Sequence, residues 1–184
     1  MIAEIDFKIL DFLQSIRTPI LDSVFSFITR LGDAGIIWIV LILILLCFKK
    51  TRKGAIIAAI SLIIGTIVGN LILKNLIARP RPFVTREEME ALLIIHAPSG
   101  FSFPSGHTLS SFVAATAIAL RNKEIGIPAL VLAALIGFSR NYLFVHYPTD
   151  VLAGCVIGII IAVSVNLLYK KFIENKFKIG KFEF

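Results

Sequence analysis

The chain has 184 residues, a net charge of +7 at pH 7 and a composition that is 57% hydrophobic. Soluble domains contain about 45–50% apolar residues, and the mean hydropathy of this chain is +0.89, so we do not expect a soluble protein. We predict an all-α fold, a polytopic membrane helical bundle with five or six transmembrane helices. The basic residues flank apolar segments, which indicates orientation in a membrane rather than nucleic-acid binding.

The first 32 residues are predicted to form an amphipathic segment, 1–32. Apolar and charged residues mix over residues 4–14 at the spacing of one helix face, and Pro19 interrupts the run. Such a helix fits the headgroup region of a bilayer, and a helix that packs against the bundle fits the same pattern. No signal peptide is expected, because no basic region precedes a cleavable apolar core.

Five apolar segments follow and predict a transmembrane domain over residues 33–173. A spanning helix needs about 20 residues, so the shorter segments must include polar residues at one end. A sixth span over residues 18–31 would change only the side on which the N-terminus lies. The segments are 34–48, 55–73, 105–120, 125–138 and 151–169.

Small residues four apart predict close contacts between these helices. The two cysteines, Cys47 and Cys155, both lie inside apolar runs, so neither a disulfide nor a metal motif is predicted. The small-residue pairs are Gly65 and Gly69, Ala133 and Gly137, and Gly154 and Gly158.

Basic residues accumulate after the first, third and fifth segments. The positive-inside rule makes this side cytoplasmic, including a basic tail over residues 174–184. The opposite, outer side receives an outer loop, residues 82–104, and the stretch Ser139 to Asp150. The basic residues are Lys49, Lys50, Arg52, Lys53, Arg121, Lys123, Lys170, Lys171, Lys176, Lys178 and Lys181.

A first polar cluster ends the second segment. Lys74 and Arg81 are seven residues apart, which corresponds to two helical turns and predicts a shared helix face. Pro80 and Pro82 would end the helix there. Two cations on one face require an anion, whereas Arg79 lies off this face and is predicted to snorkel at the helix end.

A second polar cluster begins the third segment. A helix N-terminus offers free N–H groups and the positive end of the helix dipole, which together favour an anion. Ser105 is a candidate N-cap, and Gly106 would let an oxyanion approach the backbone closely. A plain N-cap next to an incidental His107 explains this cluster equally well when it is taken alone.

The third cluster places three ionisable side chains between two apolar runs, where charge is expensive and therefore suggests function. Arg140 offers a bidentate fork for phosphate oxygens. If the last span begins near Pro148, Asp150 accepts a hydrogen bond from one nitrogen of His146 and leaves the other as a nucleophile. The alternative is a structural histidine and a first-turn helix acid.

Together these residues resemble the type 2 phosphatidic acid phosphatase (PAP2) family. The resemblance rests on Lys-x6-Arg-Pro, then Pro-Ser-Gly-His, then Ser-Arg-x5-His-x3-Asp, in that order. The length and short N-terminal helix look most like the small bacterial members, including the bacitracin-resistance type of undecaprenyl pyrophosphate phosphatase. The matching residues are Lys74, Arg81, Pro82, Pro104, Ser105, Gly106, His107, Ser139, Arg140, His146 and Asp150.

The resemblance implies a role for each site residue. His146 would attack phosphorus and form a phosphohistidine, Asp150 would orient it, and His107 would act as general acid and then base. The phosphate oxygens would be held by Lys74, Arg81, Ser105, Gly106 and Arg140. Neither a cofactor nor a metal is expected, because the cations would replace one.

The expected substrate is a lipid phosphate or pyrophosphate taken from the outer leaflet of the cell membrane. Many members of the bacitracin-resistance type carry Asp at the position of Gly106, so undecaprenyl pyrophosphate, phosphatidylglycerol phosphate and phosphatidate all stay open. Two alternatives use the same residues: an enzyme for a soluble substrate, as a phosphatase or a vanadate-dependent peroxidase, and a lipid or anion transporter. Solvated surface charge is the interpretation of the three glutamates in the outer loop, Glu87, Glu88 and Glu90.

Overall fold

The computed structural model describes residues 2–175, and the elements in that range are helices joined by turns and loops. A 3-10 turn, Asp33–Gly35, separates α2 from α3, and another, Glu87–Leu92, lies in the outer loop. Helix α4 continues as a π-helical segment, Ile67–Leu73, and α9 continues as Lys170–Glu174. The α-helices are α1 (Ile2–Ser15), α2 (Pro19–Leu31), α3 (Ile36–Leu46), α4 (Arg52–Thr66), α5 (Lys74–Ile77), α6 (Pro82–Thr85), α7 (Gly106–Ala119), α8 (Lys123–Tyr142) and α9 (Pro148–Tyr169).

The predicted all-helical membrane bundle is confirmed. Within residues 2–175, three stretches are long and apolar enough to cross a membrane: Arg52–Thr85, Lys123–Tyr142 and Pro148–Glu174. The pair Pro19–Leu31 and Asp33–Leu46 adds a fourth if its 42° bend is one broken span. The count of three is two below the predicted five because α3 has 11 residues and α7 has 14, and both are too short to span a membrane alone.

Helix α7 lies at the centre of the bundle, between α4, α8 and α9. A Cβ atom on Gly154 would lie 2.9 Å from the carbonyl oxygen of Ser105, and one on Gly158 would lie 3.0 Å from that of Leu109. On the π-helical segment that follows α4, a Cβ atom on Gly69 would lie 2.8 Å from the Leu109 side chain. Glycine is therefore required on α9, where the contacts are to the α7 backbone, whereas a methyl group at Gly69 would meet only the movable end of a side chain. The predicted close contacts at these positions are confirmed.

Ion pairs join the helix ends on the side of the bundle opposite the polar clusters. Far from the polar clusters, Glu174 binds Arg121 at 3.0 Å and Lys53 at 3.2 Å, which joins the ends of α4, α7 and α9. Lys176, Lys178 and Lys181 of the predicted basic tail lie outside the described residues.

Helix α1 packs against the other end of the bundle. Leu10 is fully buried in an apolar cluster with Phe83, Phe144 and Tyr147, and the Phe7 ring meets Tyr147 edge-on at 5.5 Å between centroids. The first helix therefore packs on the turn between α8 and α9, as the packing alternative predicted.

Candidate active site

The turn between α8 and α9 holds His146 rigidly. Residues 143–147 are all buried, and Phe144 adopts a left-handed backbone with φ 60°. The backbone N–H groups of Val145 and His146 both donate to the carbonyl of Arg140, at 3.2 and 3.3 Å. The Asn141 side-chain amide donates to the His146 carbonyl at 2.9 Å. A bulky residue with positive φ is unfavourable by itself, so the surrounding packing must keep this turn in place.

The contacts of His146 indicate its tautomer. Arg81 Nη1 lies 3.2 Å from His146 Nε2, and because a guanidinium only donates, Nε2 must accept and carry the lone pair. The proton then lies on Nδ1, which is 3.5 Å from Asp150 Oδ2 and 3.3 Å from Ser102 Oγ. The spacing correctly placed the carboxylate beside one ring nitrogen and left the other free, but the hydrogen-bond contact of Nδ1 is Ser102, which in turn donates to Asp150.

Asp150 has no exposed surface and accepts several hydrogen bonds. Its Oδ2 accepts from Ser102 Oγ at 2.5 Å and from the Tyr147 backbone N–H at 3.0 Å. Its Oδ1 accepts from Arg79 Nη1 at 2.6 Å. The bond to Tyr147 makes Asp150 part of the N-terminal cap of α9, so the carboxylate both caps the helix and orients the histidine.

The prediction that Arg79 snorkels was wrong. Its guanidinium joins Asp150 to Asp6 of α1, at 2.6 and 2.7 Å, and lies 3.7 Å from the Tyr147 ring centroid. The reason is that α5 ends at Ile77 and Ala78 turns left-handed with φ 47°, so the chain leaves the helical path and carries Arg79 inward.

The predicted shared helix face of Lys74 and Arg81 was also wrong, for the same reason. Lys74 begins α5, whereas Arg81 has an extended backbone before α6. The two cations nevertheless lie near each other, near enough that the charges of Arg81 and Arg140 both act on Lys74. Arg81 donates to the backbone carbonyls of Gly100 at 2.9 Å, Val145 at 3.0 Å and Ser99 at 3.1 Å.

Arg140 is almost completely buried, yet one of its guanidinium N–H groups is unpaired among the described residues. Its Nη1 donates to the Thr29 hydroxyl of α2, whereas its buried Nε has no hydrogen-bond partner among residues 2–175. Buried donors are nearly always paired, so an unpaired guanidinium N–H in a cluster of cations indicates a place for an anion oxygen.

The start of α7 completes the cluster. Ser105 Oγ accepts from the Thr108 backbone N–H at 3.4 Å, as expected of an N-cap, and its own N–H donates to the Asp150 carbonyl at 3.2 Å. A Cβ atom on Gly106 would lie 3.9 Å from Lys74 Nζ, so Lys74 lies over this helix start. His107 Nε2 lies 2.9 Å from Asp33 Oδ1.

Two cavities meet at His107. The larger, 530 Å³, lies under the outer loop and the smaller, 280 Å³, lies between α3, α4 and α7. Polar residues lining the larger cavity are Thr29, Arg30, Asp33, His96, His107 and Arg140, and those lining the smaller are Thr66, Asn70, Lys74, His107 and Ser110. Glu87, Glu88 and Glu90 are exposed, as predicted.

Burial keeps His146 neutral. Burial, the largest cause, lowers the pKa of His146 from 6.5 to about 3; the hydrogen bond to Asp150 opposes this, and the charges of Arg140 and Arg81 lower the pKa further. A neutral imidazole is the form that attacks an electrophile.

All eight predicted site residues lie at this end of the bundle, but the sequence did not identify several of their partners. Asp6, Thr29, Asp33 and Ser102 are polar partners that precede or separate the recognised motifs in the chain. The available signals were weak: a buried-face acid in an amphipathic helix for Asp6, and a polar residue at the end of an apolar run for Asp33. The residues they hold in place are Arg79, Arg140, His107 and Asp150.

Comparison with known proteins agrees with this geometry. Residues 54–174 match the family model described as the PAP2 superfamily. The chain is also 37% identical to undecaprenyl-diphosphatase BcrC of Bacillus subtilis, over 79% of this chain and 73% of the relative. The helical bundle and its cationic site are those of a membrane-embedded phosphatase fold, and the chain belongs to the PAP2 superfamily.

A further relative and a solved structure extend the similarity. The chain is 33% identical to phosphatidylglycerophosphatase B of Bacillus subtilis, over 79% of this chain and 74% of that protein. It superposes with a TM-score of 0.74 on the crystal structure of a transmembrane PAP2-type phosphatidylglycerolphosphate phosphatase from Bacillus subtilis, at 30% identity, covering 92% of this chain and 87% of that one.

Proposed function

We propose that this protein hydrolyses the phosphate or pyrophosphate of a membrane lipid through a phosphohistidine on His146. The observation that carries the proposal is the state of His146: its Nε2 lone pair faces the cations, while its Nδ1 faces Asp150. A transporter needs neither a nucleophile nor a general acid, and the same holds for a simple phosphate-binding site.

The reaction proceeds in two steps. Nε2 of His146 attacks phosphorus, the bond to the leaving oxygen breaks, and His107 gives that oxygen a proton. Water then attacks the phosphohistidine, its proton passes to His107, and orthophosphate leaves with His146 restored. In the resting site Arg81 Nη1 donates to Nε2, so a bound phosphate must take this donor before Nε2 attacks.

The remaining residues stabilise charge. Lys74, Arg81, Arg140, Ser105 and the Gly106 N–H hold the equatorial oxygens, and each such donor contributes about 10²–10³ in rate. The unpaired Nε of Arg140 supports this role. Because these groups supply the positive charge that phosphoryl transfer requires, we expect activity without Mg²⁺.

The proposed substrate lies in the outer leaflet of the cell membrane. The polar cluster is at one end of the bundle, and the residues Lys53, Arg121 and Lys171 lie at the other, which the positive-inside rule makes cytoplasmic. In this arrangement residues 1–32 lie at the outer headgroup region, 33–173 form the transmembrane domain with its outer loop over 82–104, and 174–184 are the proposed cytoplasmic tail. The relatives favour undecaprenyl pyrophosphate and phosphatidylglycerol phosphate, and phosphatidate shares their chemistry.

The test is phosphate release by protein purified in detergent. The panel contains the three candidate lipids and a soluble phosphate ester, each with EDTA and with Mg²⁺. We expect release from at least one lipid in EDTA, abolished in His146→Ala and unchanged in Glu88→Gln, an exposed control. Absence of release from every lipid, hydrolysis of the soluble ester alone, or activity only with Mg²⁺ would contradict the proposal.

A further inference from the structure

Asp33 binds His107 from outside the region that the family model matches. That region is residues 54–174, whereas Asp33 belongs to the 3-10 turn between α2 and α3. Its Oδ1 lies 2.9 Å from His107 Nε2. A carboxylate on Nε2 requires the proton to be on that nitrogen, which leaves Nδ1 to exchange a proton with the substrate.

The turn that carries Asp33 is shaped around the His107 ring. Ala34 and Gly35 have left-handed backbones, with φ 51° and 68°. A Cβ atom on Gly32 would lie 2.7 Å from His107 Cδ2 and 2.8 Å from Ile136 Cγ2. The imidazole therefore packs on the glycine that precedes Asp33, and the bend between α2 and α3 fixes both the ring and its carboxylate.

The charges around His107 determine what the Asp33 carboxylate does. Burial of the His107 ring is the largest effect that disfavours a positive charge on it, and the charges of Arg140 of α8 and Lys74 of α5 act in the same direction. Asp33 acts in the opposite direction, by its hydrogen bond and its charge. His107 must be an imidazolium before it gives up a proton, so a cationic phosphate site requires a counter-charge beside its general acid.

We propose that Asp33 is a positioning residue that holds His107 and stabilises its imidazolium for protonation of the leaving oxygen. This rests on the proposed function and deepens it, because it links the α2–α3 turn to the choice of leaving group. A lipid alcohol leaves as a strong base and needs the proton. A lipid phosphate, the leaving group of a pyrophosphate, is a weak base and departs with little protonation.

The experiment compares two substrates with the same lipid tail, phosphatidate and diacylglycerol pyrophosphate. In Asp33→Asn we expect kcat/KM to fall about 10-fold or more on phosphatidate, since general acids contribute about 10²–10⁴, and less than about 3-fold on the pyrophosphate. Asp33→Glu recovers part of the loss. Asp11→Asn, which removes the exposed partner of Arg86, leaves both rates unchanged.

A second variant separates positioning from a general loss of structure. Gly32→Ala pushes the His107 ring through its new methyl group and should produce the same selective loss on phosphatidate. Equal losses of kcat/KM on the two substrates would overturn the inference. An unchanged kcat/KM of Asp33→Asn on phosphatidate would overturn it as well. If the wild type cleaves only the pyrophosphate, a large loss there in Asp33→Asn overturns it too.

The controls distinguish this inference from the proposed function. If His107→Ala shows the selective loss and Asp33→Asn does not, the role of Asp33 fails while the general acid stands. If the wild-type protein releases phosphate from no lipid phosphate or pyrophosphate, the proposed function itself fails.

Discussion

Arg79 Nη1 lies 2.6 Å from Asp150 Oδ1, inside the buried network that orients His146. The same guanidinium binds Asp6 through Nη2 at 2.7 Å. Asp6 also accepts from the Thr149 backbone N–H at 3.0 Å. The first helix is therefore tied to the start of α9 by charge-assisted hydrogen bonds, and the carboxylate of the nucleophilic pair depends on a cation held by α1.

Removing this cation should lower activity without removing a group that touches substrate. In Arg79→Met we expect kcat/KM to fall about 10- to 100-fold. The buried Asp150 carboxylate keeps Ser102 and Tyr147 but loses its charged donor, and a lost hydrogen bond to a buried group costs about 1–3 kcal/mol. The measurement is phosphate release in detergent at saturating and limiting lipid. Arg86→Met is the matched control, since Arg86 pairs with the exposed Asp11 and stacks on Phe7 instead. A wild-type rate in Arg79→Met would show that Asp150 needs only Ser102 and Tyr147.

His146 should stay neutral across the physiological range. Protonation would place a positive charge in a buried site beside Arg81 and Arg140, so the folded protein lowers its pKa to about 3. Because the unfolded chain binds this proton near pH 6.5, the stability contributed by neutral His146 is complete above that pH and declines as pH falls towards 3. Histidine ¹⁵N NMR, assigned with His146→Asn, should show a neutral Nδ1–H tautomer down to pH 5. A midpoint near 6.5 would contradict this.

Arg140 should be irreplaceable by lysine. Its planar fork reaches Thr29 with one nitrogen and keeps Nε free for the phosphate, whereas lysine offers a single point charge. We expect orthovanadate, which mimics the transition state, to inhibit the wild type. In Arg140→Lys the inhibition constant should rise at least about 10-fold and the rate should fall about 10²–10³-fold. Unchanged vanadate inhibition would place the anion elsewhere.

The contact between α7 and α9 should tolerate no added methyl group. A Cβ atom on Gly154 meets the Ser105 carbonyl oxygen at 2.9 Å and the Leu109 backbone nitrogen at 3.2 Å. Gly154→Ala should therefore destabilise the protein by about 1–3 kcal/mol and move Ser105 from Asp150, lowering activity as well. Thermal unfolding in detergent measures the first effect and phosphate release the second. Leu152→Ala, on the exposed face of α9, should change neither. An unchanged melting temperature in Gly154→Ala would mean that the two helices separate easily.

The polar clusters could be predicted from the sequence because their spacing reflects chemistry. His146 and Asp150 are four residues apart and do face each other at the start of α9, which begins at Pro148. The Ser105 cap was predictable for the same reason, since N-capping needs a short polar side chain just before a helix. These interactions join residues that are close in the sequence, so the spacing of the residue types is enough to predict them.

The parts that could not be predicted depend on backbone breaks and distant partners. The left-handed turn at Ala78 could not be predicted from its residue type, because alanine rarely adopts positive φ. Without that break, Arg79 is placed on the wrong face of an extended helix. Asp6 and Asp33 are 144 and 74 residues from the side chains they help to hold, Asp150 and His107. A single sequence marks such residues only weakly and does not name their partners.

The central claim is that His146 becomes phosphorylated during turnover, and a rapid-quench experiment tests it most directly. Wild-type protein is mixed with ³²P-labelled lipid phosphate, quenched in alkali and digested. We predict an alkali-stable, acid-labile label on the peptide that contains His146, absent from His146→Asn. Phosphate release at the wild-type rate by His146→Asn, or a label on another residue, would contradict the account.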